Sequence, residues 1–172
     1  MAFNAQIGFS TPKTFNPVSW LIRKITRSQC SHAWVKYHDD DLDLDMVMEA
    51  HELGFRGVAF EHFTKHNKIV KLIDVDVDVT PGLRLLARRL GDTYDYGGLF
   101  GMSIVMILEW CRRQLRWTWV KIKNPLHTPG LLFCSAAIVL MLEESHSKMV
   151  EDVLVPETIA PQKLLDLLSG KS

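Results

Sequence analysis

Long apolar runs are missing from this chain. Two short ones stand out, Gly97 to Leu108 and Leu131 to Leu142, each of 12 residues. A spanning helix needs roughly 20, so both read as buried helices. The opening MAFNAQIGFSTPKTF lacks the basic-then-apolar layout of a secretory signal, and a cytoplasmic start is expected. Net charge is missing too: 20 Lys+Arg balance 20 Asp+Glu, which argues against a polycation built for nucleic acid. Cysteine is scarce. Cys30, Cys111 and Cys134 are odd in number and widely spaced, so neither a disulfide framework nor a paired CxxC zinc site follows. The chain also has no Walker loop, GxGxxG, GxSxG or HExxH, the motifs of phosphate, dinucleotide, serine-hydrolase and zinc-peptidase chemistry.

What is present suits one globular domain over residues 1–172: 47% hydrophobic and 23% charged residues, with enough length for a sizeable core. Charge is uneven. Residues 81–125 hold eight Lys/Arg against three Asp/Glu, and the run EWCRRQLRWTWVKIK sits inside them. A Trp/Arg-rich helix over about 98–120 is expected. It reads as an amphipathic helix packed on the domain, or as a contact for a membrane surface or protein partner.

Residues 17–27 predict a short helix with Ser19 as N-cap and an apolar stripe of Trp20, Leu21 and Ile25. SHAWVKY and MVMEA predict two strands joined by the acidic turn HDDDLDLD. A turn centred between Asp40 and Asp41 sets His32 directly opposite Glu49, on one face of the hairpin. FRGVAF predicts a third strand, EHFTKH a helical turn or loop, and IVKLIDVDVDV a strand with valines on one side and aspartates on the other. Thr80-Pro81 opens a helix closed by Gly91, a buried helix starts near Cys134, and Thr158 to Pro161 begin a last short one. Strands and helices are segregated, which argues for an α+β fold.

Three residue types suit nucleophilic catalysis. Cys134 starts an apolar helix, where the dipole and unpaired backbone N–H groups favour thiolate; the rival is a buried structural cysteine. His32 opens a strand and is a candidate base, against an ordinary half-buried histidine. Glu49 is the candidate carboxylate that orients the imidazole, against a solvent-facing strand residue, with His51 on the same face as competitor. Asp41, Asp43, Asp45 and Glu52 match calcium-loop spacing, but Met46 stands where the sharp turn needs glycine. His62 and His66 lack a convincing third ligand. No metal or cofactor is expected.

The pieces IGFS, SHAWVKY, VMEAHELGFRGVAFEHF, YDY (94–96) and LFCSAAIVLML, in that order, resemble the circularly permuted branch of the NlpC-type, papain-fold cysteine peptidases and amidases. The resemblance runs over roughly residues 7–142. It implies a papain-like core, an antiparallel sheet packed on the helix that bears the cysteine. It implies Cys134 as nucleophile, His32 as base, Glu49 as orienting acid, and Tyr94 or Tyr96 lining the site. Such relatives commonly carry small residues after the histidine, where this chain has Trp34. The implied activity is hydrolysis of a peptide, murein-type or lipid-linked amide. A lipid acyltransferase or thioesterase of the same fold, and a non-catalytic binding or assembly module, are the alternatives.

Overall fold

The computed structural model describes residues 5–51, 54–92, 134–150 and 159–170. Tyr94, Tyr96 and the expected helix over 98–120 lie outside the described residues. The architecture is α+β. Five antiparallel strands, β1 (Ala5–Pro12), β2 (His32–Asp39), β3 (Leu44–His51), β4 (Gly54–Ala59) and β5 (Asn67–Asp74), form one sheet. Their order across it is β4-β3-β2-β1-β5. Helix α1 (Pro17–Thr26) joins β1 to β2, and α2 (Phe60–His66) joins β4 to β5. Then come α3 (Thr80–Ala87), α4 (Cys134–Glu144), a 3-10 turn Lys148–Val150 and α5 (Pro161–Leu168). Among the described residues no helix is long and apolar enough to cross a membrane.

The two faces of the sheet bury different things. Ile7, Phe9, Ala33, Val35, Met48 and Ala50 alternate toward α4, whose Cys134, Ala137, Ile138 and Met141 complete the larger core. With apolar residues nearly all round, α4 is buried as far as Leu142, with Leu140 half-buried and only Glu143 and Glu144 exposed. Trp34 and Val47 point to the other face, where Phe63 of α2 covers them. The Trp34 ring lies 4.6 Å from that of Phe63 and 5.9 Å from that of Phe60, and its Nε1–H donates to Ser10 Oγ at 3.1 Å. Gly8 faces Trp34 across β1–β2. A Cβ there would sit 2.2 Å from the indole, so the glycine makes room for the large side chain beside the histidine.

Several expectations are corrected. The N-terminal strand β1, unassigned from periodicity, is the second-to-edge strand. Helix α1 is capped by Asn16, whose Oδ1 accepts Ser19 N–H at 2.9 Å, with Pro17 in the first turn. Ser19 instead uses its hydroxyl on Ser31 Oγ, 2.6 Å away and buried. The β2–β3 turn centres between Asp41 and Leu42: Asp39 pairs with Leu44, and Val35 with Met48. The hairpin is thus displaced by two residues from the expected register. The Val/Asp alternation outruns its strand. Val75 N–H reaches Ala5 O at 3.0 Å, where β1 begins, and Val79 then turns into the core, while Asp78 Oδ1 accepts Thr80 N–H. EHFTKH is a true helix. Asp45, one of the calcium-loop matches, is a strand residue bonded to Lys36 at 2.7 Å and His38 at 3.1 Å.

The Gly8–Trp34 fit predicts that Gly8→Ala costs about 1–3 kcal/mol through overpacking, read as a lower urea midpoint. Gly57→Ala is the control. Its added Cβ would meet only the Val47 carbonyl, at 4.0 Å, and the midpoint should stay within about 0.5 kcal/mol of wild type.

Candidate functional site

The site assembles where β2 begins. Ser31 N–H bonds Ser10 O at 3.0 Å, which holds the chain against β1 just before His32. His32 then projects on the face of Trp34, with its ring centroid 6.5 Å from that of Phe63. Glu49 is on the same face, because the two-residue displacement of the hairpin is an even number and keeps the faces in phase. The two residues meet diagonally. His32 Nε2 lies 2.7 Å from Glu49 Oε2. His51, the competitor, pairs with Gly54 at the last position of β3, and the carboxylate of Glu49 is the group bonded to the imidazole.

Glu49 is 2% exposed, and a lone carboxylate so placed would lose its hydration. Arg56 supplies the compensation. It faces Glu49 directly across β3–β4 and donates Nε–H at 2.9 Å and Nη2–H at 2.7 Å to Oε1. One carboxylate oxygen thus serves the imidazole and the other a forked guanidinium. Burial pushes the Glu49 carboxyl up. The bonds and charges of His32 and Arg56 outweigh it and hold the pKa at about 2. Sequence reasoning missed Arg56. The β3–β4 register, in which His51 pairs with Gly54, sets residue 56 across from residue 49.

Cys134 is the first residue of α4 and is 4% exposed. Of the groups around it, His32 does most to lower its thiol. The backbone N–H groups of Ala33 and Ser135 act on the thiol in the same sense. Ser135 Oγ–H donates to Ile159 O at 2.6 Å, pinning the start of α4 to the segment before α5. Burial pushes the Cys134 thiol up. The hydrogen bond and charge of His32, with the two backbone N–H groups, reverse this and lower it below the ordinary thiol range. For His32, burial works against the charged ring, and its bonds to Cys134 and Glu49 overcome that and raise the pKa to about 10. Each charged form thus favours the other: the imidazolium lowers the thiol, and the thiolate raises the imidazole.

Cys30 shows what burial does without such partners. It is fully buried and its pKa is raised to about 11, chiefly by desolvation. Among the described residues, no group of three or more His, Cys, Asp or Glu is arranged to hold a metal ion.

Arg56→Ala leaves a buried carboxylate with the imidazole alone. The expected loss is about 1–3 kcal/mol at neutral pH, toward the lower end because Arg56 is 38% exposed and solvent screens it. Glu49 has a depressed folded pKa. Its contribution is present above the unfolded carboxylate range and is lost as pH falls through about 2. The gap between wild type and Arg56→Ala in urea should therefore narrow steadily on acidification below about pH 4.5. Comparison of the chain with protein-family models and with curated proteins finds no match.

Proposed function

We propose that the protein is a thiol hydrolase that cleaves an amide through a covalent acyl-enzyme on Cys134. The observation that carries this reading is the His32–Glu49 pair, with Nε2 2.7 Å from Oε2, whose imidazole lowers the buried Cys134 thiol at the first residue of α4. A papain-like, permuted core accounts for the chain order of histidine, carboxylate and cysteine, and for an antiparallel sheet packed on the cysteine helix. The substrate class proposed is a peptide, murein-type or lipid-linked amide.

The chemistry follows from the charges. The Cys134 thiolate adds to the carbonyl carbon, and the carbonyl π electrons move to oxygen. The N-terminal turn of α4 supplies dipole and backbone N–H groups for that oxyanion. When the tetrahedral adduct collapses, the C–N bond breaks and the His32 imidazolium gives its proton to the leaving amine. A water then attacks the thioester and His32 takes its proton. The carboxylic acid departs and the thiolate is restored. Glu49 holds the ring in one orientation and stabilises its charged form, and Arg56 holds Glu49.

An activated aryl ester is the direct test. Wild type should release the phenol in a stoichiometric burst and gain one acyl group at Cys134 by peptide mass spectrometry. Cys134→Ala and His32→Ala should show neither, a loss of about 100-fold or more. Acylation at equal rate in Cys134→Ala would refute the proposal. Limiting iodoacetamide gives a second readout. Cys134 should label at neutral pH while Cys30 stays unmodified, and His32→Ala should remove that selectivity. Equal labelling of both would leave a binding or assembly role as the better reading.

A further inference from the structure

Helix α1 is turned inside out. Its inward arc carries Ser19, buried, with Ile22, Arg23 and Thr26 half-buried. Its outward arc carries Val18, Trp20 and Leu21, which are 50%, 49% and 40% exposed, and Phe15 just before the helix is 80% exposed. At 100° per residue, Val18, Leu21 and Trp20 flank Lys24 on one face. Trp20 and Leu21 of the expected stripe are thus exposed to solvent, with Val18 on the same outward arc and Phe15 just ahead of it in the chain. Isolated exposed hydrophobes need no explanation, but a contiguous patch marks an interaction surface.

The charge around the patch says what it meets. Residues 1–38 contain Lys13, Arg23, Lys24, Arg27 and Lys36 and no Asp or Glu. Lys24 and Arg27 are exposed beside the apolar arc, and Lys13 lies on its N-terminal side. Tryptophan, phenylalanine and leucine framed by bases on a short helix suit the headgroup boundary of an anionic bilayer. Each base near such a surface adds attraction. We propose that α1 and Phe15 form a docking surface for an anionic lipid membrane. The surface lies at the end of the sheet where β2 begins. The buried Ser19–Ser31 hydroxyl contact, 2.6 Å, ties it to the residue preceding His32. Docking through α1 therefore brings that end of the sheet toward the bilayer. The docking surface does not rest on the hydrolase reading.

Co-sedimentation of the full chain with phosphatidylglycerol/phosphatidylcholine vesicles tests this, with phosphatidylcholine vesicles as the neutral control. The wild type should pellet with the anionic vesicles and much less with neutral ones, and added salt should weaken the binding. Trp20→Ser combined with Leu21→Ser should lower the bound fraction at least about fivefold, and Lys24→Glu by a similar factor. These side chains are exposed, so thermal melts should match wild type. Cys134→Ala should bind like wild type, which separates docking from catalysis. Pelleting that ignores lipid charge, or survives both sets of substitutions, would overturn the proposal. So would a dimer in solution that Trp20→Ser dissolves while vesicles bind nothing, since the patch would then face a second copy.

Discussion

A carboxylate buried in the middle of a sheet is the constraint on which the rest of the site depends. Glu49 is 2% exposed, and it stays ionised only because a guanidinium and an imidazole divide its two oxygens between them. Three strands must be in register for that. β3 carries the carboxylate, β4 brings Arg56 across from it, and β2 starts with the histidine. The ionised carboxylate in turn favours a charged imidazole, and the charged imidazole lowers the thiol at the start of α4. Charge alternates from Arg56 through Glu49 to His32, and His32 lowers the Cys134 thiol. Each member is stabilised by the next, which is how buried ionised groups persist at all.

The packing around this line is equally specific. The sheet divides its faces, with α4 bearing the cysteine on one and the Trp34–Phe63 cluster supporting the other. The site lies at the end of β2, where a strand residue from one face can meet a helix residue from the other. Trp34 lies between the histidine and the rest of the strand, and the absence of a side chain at Gly8 admits it. Two cysteines in similarly dry surroundings differ in character for this reason. Cys30 has burial without a cation and is held protonated, whereas Cys134 has burial with one.

Much of this was legible in the sequence, and what was not has physical causes. The hairpin and its shared face followed from alternation. The exact register did not, because HDDDLDLD offers several equivalent turn centres. The two-residue displacement left His32 and Glu49 on the same side, which is why their contact survived it. Arg56 was hidden because the residues between the two strands, Glu52 and Leu53, carry no Asn-Gly or Asp-Gly signature that would set the register. The valine–aspartate alternation overstated β5, since alternation describes a two-faced segment and ladder partners decide where a strand stops. Helix α1 misled in the opposite sense. Periodicity does not say which arc faces the core: Ser19 is buried, and Trp20 and Leu21 of the expected stripe are exposed.

The central claim is that Cys134 and His32 form an ion pair at neutral pH, and the thiolate's ultraviolet absorbance reports that without needing access to the sulfur. The wild-type spectrum minus that of Cys134→Ser, followed across pH, should show a full thiolate band at neutrality that fades on acidification. In a His32→Ala background the band should appear only on approaching the ordinary thiol range, about pH 8.5. A wild-type band that is missing at neutrality and rises only in that alkaline range would contradict the account.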